Sequence, residues 1–454
     1  MHKLITSITL LFICFSFSFS QENSSVNPCI SDLENEQIMK EVQENIKRLN
    51  LDQPGTFKRD RPSFSWPLRA IDSWKDVSYY NISAYVDQNT TVGQIQDWNC
   101  GTNTYDSHHG TDISIWPFNF YKLDNDIVEV IAASPGTIVA KHDGEFDKNC
   151  NASNPNANYV VIMHSDKSVA VYFHMKKNSI TLKDVGATVV VGEKLGIVGS
   201  SGSSSGPHLH FEVKTDFSNS TSYIDPFYGT CNKLTDASWW INQKPYKETG
   251  VVRASVHTTD IVFPTCPGTE VINESHVYSN PFQGVGLPAG YAKFYMFLRD
   301  EVTNLNADLK ILNPDKSVFT TWTYTSASDS KNKTMGYSKK LPTVDGKYTF
   351  VVTYNNTTST YDFTIGIGNT PTTGIYESLN ANEFLVYPNP SRGNFTIELN
   401  DNQQENIELI DALGNRIGTY NLHAGKNEIN EKLEAGIYFI HQKNTNFIQK
   451  LIIE

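Results

Sequence analysis

Beyond Ser20 the sequence has no apolar run approaching the ~20 residues of a membrane-spanning helix, so the mature chain contains no transmembrane segment. It is short of positive charge as well. Lys and Arg number 37 against 49 Asp and Glu in 454 residues, a net charge of -12. With nothing to neutralise phosphate, this balance argues against a nucleic-acid or anionic-membrane partner. Charged residues are only 19% and aromatics 12%, too few and too many respectively for general disorder. There is no H-E-x-x-H, so a Glu-based zincin mechanism has no support, and no repeat at solenoid or propeller spacing. At ~100–200 residues per domain, the length implies two to four domains.

The N-terminus carries Lys3, an apolar stretch from Leu4 to Phe15 and the small residues Ser18-Phe19-Ser20 before Gln21. This reads as a secretory signal peptide over residues 1–20, with Ile13 too bulky for a lipoprotein site at Cys14. The mature chain is therefore expected outside the cytoplasm, where cysteines pair. Cys29, Cys100, Cys150, Cys231 and Cys266 remain, an odd number. The expected pairing is Cys100–Cys150 and Cys231–Cys266, one of three that four cysteines allow, with Cys29 left over. Cys29 precedes the helix in a segment that reads as a pro-region, and a disulfide or an idle thiol is the ordinary fate of such a residue.

Ser31 with Glu34 forms a capping box, and Ile38, Val42, Ile46 and Leu49 recur at helical spacing. Residues 21–63 thus form a helical, pro-like segment ending in a linker that holds Pro54, Gly55 and Pro62. From 64 to 232 the pattern is short strands and turns, with no helical period of useful length. A further β-region over 251–367 follows a linker at 233–250. Its strands Lys347–Tyr354 and Tyr361–Ile365 flank Asn355-Asn356 as a hairpin would, suggesting an immunoglobulin-type sandwich. Residues 368–383 read as a polar linker, and 384–454 as a last small β-unit. The fold class is mainly β.

The chemistry lies between His108 and Glu212. On a strand, alternate side chains share a face. In Pro207-His208-Leu209-His210-Phe211-Glu212-Val213, Leu209, Phe211 and Val213 would enter a core while His208, His210 and Glu212 point together to the other side. The strand Val169 to Met175 sets Val171 and Phe173 against Tyr172 and His174, which makes three strand histidines that packing does not require. His108-His109-Gly110-Thr111-Asp112 adds an imidazole and a carboxylate four apart around a glycine. Imidazole and carboxylate are zinc's preferred donors, and a catalytic zinc keeps three protein ligands and one open position. Gly202-Ser203-Ser204-Ser205-Gly206 matches G-x-S-x-G, but Pro207 and a strand follow instead of a helix, so a loop at a cleft rim is the better reading. His142 and His164 read as strand or turn residues. Glu212 reads equally as a partner of a ligand histidine or as an ordinary surface carboxylate.

These segments resemble lysostaphin/LytM-type zinc metallopeptidases, whose pattern is H-x-x-x-D, then H, then H-x-H. The resemblance covers 64–232, including Asn99-Cys100-Gly101, Thr104-Tyr105-Asp106 and Gly199-Ser200-Ser201-Gly202. It implies one Zn2+ per catalytic domain held by His108, Asp112 and His210, with His174 and His208 as catalytic histidines acting on activated water. Only His108, not His109, keeps the ligand spacing. It also implies a zinc endopeptidase cutting Gly-containing bonds, often in peptidoglycan cross-bridges. The alternatives are a general extracellular protease on Gly-rich proteins and a wall-peptide binding module that does not cut.

Val386-Tyr387-Pro388-Asn389-Pro390, Gly393, Phe395, the Leu409–Asn415 turn region, Gly436-Ile437-Tyr438 and the closing Lys450-Leu451-Ile452-Ile453 resemble a type IX secretion sorting domain. This implies that the secretion machinery is a partner, and that the protein is secreted or held at the surface of a Gram-negative bacterium.

Overall fold

The computed structural model describes residues 30–53, 61–366 and 385–453, apart from short stretches at 31, 152–153, 155, 217–218, 220–221, 388, 390, 392, 400–404, 412–413 and 443–447. The expected signal peptide, Cys14, Cys29, Ser31 and the expected linker at 368–383 lie outside the described residues. The chain is mainly β. It divides into two compact units, one of residues through Asp72 with Ile82–Ile115 and Lys122–Lys244, the other of Ser73–Asn81, Trp116–Tyr121 and Pro245 onward. Among the described residues no helix is long and apolar enough to cross a membrane.

The first unit opens with α1 (Asp32–Arg48). Its strands are β1 (Leu68–Ala70), β2 (Asn81–Ala84), β3 (Thr111–Ser114), β4 (Val128–Ile131), β5 (Gly136–His142), β6 (Tyr159–Met163), β7 (Val169–Phe173), β8 (Thr188–Val189), β9 (Lys194–Ile197), β10 (His208–Lys214) and β11 (Tyr223–Ile224). A large sheet runs in the order β2-β3-β10-β7-β6-β5-β8, with β11 beside β10, and β1-β4-β9 form a small second sheet. A six-residue helix, Asn119–Asp124, interrupts the β pattern where the sequence showed no helical period.

β10 follows the expected alternation, since Leu209, Phe211 and Val213 are wholly buried. Phe211 meets Phe64, Tyr172 and Trp240 at ring separations of 5.2–5.5 Å. The opposite face is covered too, so all seven residues of β10 are buried. Residues directly opposed in an antiparallel pair share a face. His210 stands opposite Phe173, Glu212 opposite Val171, and Val171 opposite Val161. The histidine face of β10 is therefore continuous with the face of β5–β7 on which α1 lies. Ile38, Val42 and Ile46 pack there against Val139, Val161, Met163, Val169 and Val171. A helix of this length is marginal alone, whereas each fully buried aliphatic side chain contributes ~1.5–3 kcal/mol, so tertiary packing holds α1.

The expected disulfides do not form. Cys100 bonds Cys231 instead, with Cα atoms 5.1 Å apart. The 97–103 loop and the 229–232 turn meet because Trp98 stacks on Phe227 and Cys231 N–H donates to the Trp98 carbonyl at 2.9 Å.

In the second unit, a three-stranded sheet (Gly250–His257, Tyr291–Glu301, Ser330–Lys340) and a five-stranded sheet share one core including Phe294, Leu309, Phe350 and Phe363. The hairpin turns at Asn355 and Asn356, both with positive φ (45° and 61°), as a two-residue turn between twisted strands requires. The C-terminal module has a separate core with Phe395, Ile397, Leu409, Ile440 and Leu451. There Asn389 pins the terminal strand, donating to the Lys450 carbonyl at 2.7 Å and accepting from Ile452 N–H at 2.8 Å.

Glu34, near the start of α1, is only 6% exposed. Burial raises its carboxyl to about 7, opposed by the Ala157 N–H and reinforced by the Glu145 charge. The native state thus holds this proton above the unfolded pKa of about 4.5. Its contribution to unfolding free energy is full below pH 4.5 and is lost as pH rises to about 7. Glu34→Gln should flatten the stability slope between pH 4.5 and 7 relative to the parent, as read from urea midpoints across that range.

Candidate metal centre

The β3–β10 register places Asp112 opposite His210 and Ser114 opposite His208. His108 comes from the loop before β3. Gly110 permits the approach, because a Cβ there would lie 2.6 Å from the His210 ring. His108 Nε2, Asp112 Oδ1 and His210 Nδ1 converge, with separations of 3.2 Å (His108–His210), 3.2 Å (His108–Asp112) and 2.9 Å (His210–Asp112). All three residues are buried.

The outer hydrogen bonds assign the tautomers. His108 Nδ1 lies 2.7 Å from the Tyr85 carbonyl, which can only accept, so Nδ1 carries the proton and Nε2 a lone pair. His210 is inverted. Its Nε2 lies 3.2 Å from Glu212 Oε2, which leaves the lone pair on Nδ1. Two imidazole lone pairs and a carboxylate oxygen therefore face one another with no proton between them, an arrangement that a cation resolves. Ligands ~2.0–2.1 Å from a shared tetrahedral Zn2+ lie about 3.3 Å apart, close to the observed spacing. The donor set fits such an ion.

Its surroundings fix the charges. Asp112 is buried, so its charge needs a positive partner beside Oδ1. Tyr105 donates to Asp112 Oδ2 at 3.2 Å and stacks on His108 at 4.1 Å. Burial likewise opposes the Glu212 charge, while the Lys214 ammonium bonded to it and His210 keep the carboxyl ionised and low. Glu212 is thus no surface carboxylate but the buried partner of the outer nitrogen of His210.

Two further imidazoles adjoin this group. His208 Nδ1 donates to the Gly206 carbonyl at 2.8 Å, and its Nε2 lies 3.6 Å from Asp112 Oδ1. His174 Nδ1 donates to the Ser201 carbonyl at 2.6 Å, with its ring 4.5 Å from that of His208. Strand alternation misplaced His174. β7 ends at Phe173, whose face is that of His210, so a continued strand would turn His174 to the Tyr172 face. A left-handed backbone at His174 (φ 63°) brings it to the site instead.

The other candidates stand apart. His109 stacks on Tyr223 at 3.9 Å, and burial lowers its pKa. His142 pairs with Glu145, and His164 bonds the Pro135 carbonyl edge-on to Phe64. Ser204 is buried beneath His208, 3.3 Å from its Nδ1, and serves as a brace for the loop. The contributions of Tyr85, Ser201 and Gly206 are backbone carbonyls, which leave no trace in residue type. Tyr105 and Lys214 were within reach of the sequence, from the Thr104-Tyr105-Asp106 motif and the continued alternation of β10.

The model for peptidase family M23 matches residues 126–226, a stretch that includes His174, His208 and His210. The chain carries an M23 peptidase domain. His108 and Asp112 precede the matched stretch and join it through the β3–β10 pairing. The secretion system C-terminal sorting domain matches residues 385–454, which marks a secreted or surface protein. An uncharacterized metalloprotease of Haemophilus influenzae is 35% identical over 107 residues, 23% of this chain and 22% of the relative. A peptidoglycan DD-endopeptidase of Vibrio cholerae is 28% identical over 150 residues, 29% of this chain and 34% of the relative. The chain thus spans about a fifth to a third of the length of these relatives. The catalytic domain of lysostaphin from Staphylococcus simulans aligns with 34% of this chain and 90% of its own length, at 23% identity and a TM-score of 0.20.

Replacing an outer-sphere partner of a ligand histidine typically costs 10–100-fold in metal affinity. Glu212→Ala should weaken zinc binding to the M23 domain by about that factor in a chelator competition titration, and unchanged affinity would remove Glu212 from the site.

Proposed function

We propose that the M23 domain is a zinc-dependent endopeptidase that hydrolyses peptide cross-links of peptidoglycan, Gly-containing ones among them. The observation that carries this reading is the convergence of His108 Nε2, Asp112 Oδ1 and His210 Nδ1 beside two further imidazoles of matched tautomer. Zn2+ bound by these three residues would polarise the scissile carbonyl and lower the pKa of water to ~7.

The remaining chemistry falls to the chain. His208, with Nδ1–H committed to Gly206, presents Nε2 beside Asp112 as the acceptor of the attacking water's proton, which it then returns to the leaving amine. Neutral His174, with Nδ1–H committed to Ser201, offers only an acceptor at Nε2. That favours orienting the water, and stabilising an oxyanion would first require its protonation.

The name of the Vibrio cholerae relative supports a peptidoglycan substrate. A second reading, an extracellular protease on Gly-rich proteins, is favoured by the sorting domain, which carries the enzyme away from its own wall. Incubation of the mature protein with peptidoglycan and with elastin separates the two. New amino termini in muropeptides identify a wall enzyme, and cleavage of elastin alone supports the second reading. His208→Ala should slow turnover by ~100-fold or more with zinc retained. Normal activity in a His174→Ala/His208→Ala double variant would overturn the mechanism, and zinc-loaded protein that binds peptidoglycan without cutting would make the domain a recognition module.

A further inference from the structure

The positive φ of His174 needs an explanation from its surroundings, because a non-glycine residue holds that conformation only where neighbours impose it. The two groups that fix it are Met175, the next residue, and Ser201, whose carbonyl accepts its Nδ1–H. Both are bonded to Asn158. The Asn158 N–H donates to Ser201 Oγ at 2.9 Å, and its carbonyl accepts from Met175 N–H at 3.0 Å. Its side-chain amide donates to the Met175 carbonyl at 3.0 Å and the Glu145 carbonyl at 3.1 Å, while its Oδ1 accepts from Glu145 N–H at 2.8 Å. Ser201 Oγ closes the loop by donating to the Met175 carbonyl at 2.9 Å. Asn158 is wholly buried.

What locates Asn158 comes from outside the sheet. The preceding N–H, that of Ala157, donates to Glu34 Oε1 of α1 at 2.9 Å. On its other side Ala157 abuts Gly202, where a Cβ would come within 2.5 Å of the Ala157 Cβ. The Ala157–Asn158 segment is thus clamped between α1 and the Ser201–Gly202 turn. α1 is anchored along its length. Asn45 donates to the Val139 carbonyl at 2.8 Å, Tyr159 OH donates to Glu41 at 2.9 Å, and Val42 and Ile46 are fully buried.

We propose that Glu34 is a positioning residue for His174, acting through the Ala157 N–H and Asn158. The proposal rests on the catalytic reading of His174, and it makes α1 part of the working enzyme instead of a removable leader.

The test compares Glu34→Ala, which deletes the acceptor, with Glu34→Gln, which keeps one. In the zinc-loaded full-length protein, kcat on muropeptides should fall about 10-fold in the alanine variant with KM and bound zinc unchanged, and the glutamine variant should return to within about twofold of the parent. The His174 Nδ1–H resonance should exchange faster with solvent in the alanine variant and not in the glutamine one. That arm needs no turnover, so it decides the positioning role even if the parent cleaves nothing and the peptidase reading fails. Should Glu34→Ala not fold, Glu34→Met keeps the volume and removes the acceptor. An alanine or methionine variant with parental kcat and parental His174 exchange overturns the proposal. So does a glutamine variant as impaired as the alanine one.

Discussion

Three lone pairs forced together are the constraint on which the catalytic half of this protein is built. His108 Nε2, Asp112 Oδ1 and His210 Nδ1 sit 2.9–3.2 Å apart in a buried place, each with its proton-bearing or remote atom engaged elsewhere. In low dielectric such a cluster is costly without a cation, so the fold must hold it open against mutual repulsion. The means are visible in the local structure. A direct β3–β10 register sets Asp112 against His210, and Gly110 admits the His210 ring. The Tyr85 carbonyl and the Lys214-supported Glu212 fix opposite tautomers in the two imidazoles. The Cys100–Cys231 bond closes the loop whose Asn103 carbonyl accepts the Tyr85 N–H.

The second pair of imidazoles is held differently. His174 and His208 both donate Nδ1–H to loop carbonyls, so their orientation depends on turns that the sheet itself does not determine. This is where α1 enters. It lies on the same face of the sheet as Asp112 and His210, and its first turn reaches the segment that braces His174. Asp112, His208 and His210 stand on paired strands, whereas His108 and His174 are held by the segments that flank them.

Much of this was legible in the residues. Period-two alternation placed Leu209, Phe211 and Val213 in the core and His208 and His210 together, because a strand buried on both faces still obeys its pleat. The four-residue spacing from His108 to Asp112 separated His108 from His109. Helical spacing found α1, and the Asn355-Asn356 turn found its hairpin. What escaped was long-range or carried by the backbone. Pairing of Cys100 with Cys231 depends on Trp98 stacking on Phe227 across 129 positions of sequence (227 − 98), which no local rule sees. The left-handed turn at His174 has no signature in a histidine, and carbonyl acceptors have none in any residue. Glu34 looked like the partner of a helix cap, yet its carboxylate reaches Ala157, 123 residues away.

The central claim is that His108, Asp112 and His210 exist as a cation site. A crystal of the zinc-equilibrated protein, with anomalous data on both sides of the zinc edge, tests it most directly. The account predicts one ion per chain, ~2.0–2.2 Å from His108 Nε2, Asp112 Oδ1 and His210 Nδ1. A folded protein without an anomalous peak there, or with its ion held by His174 and His208, would contradict it.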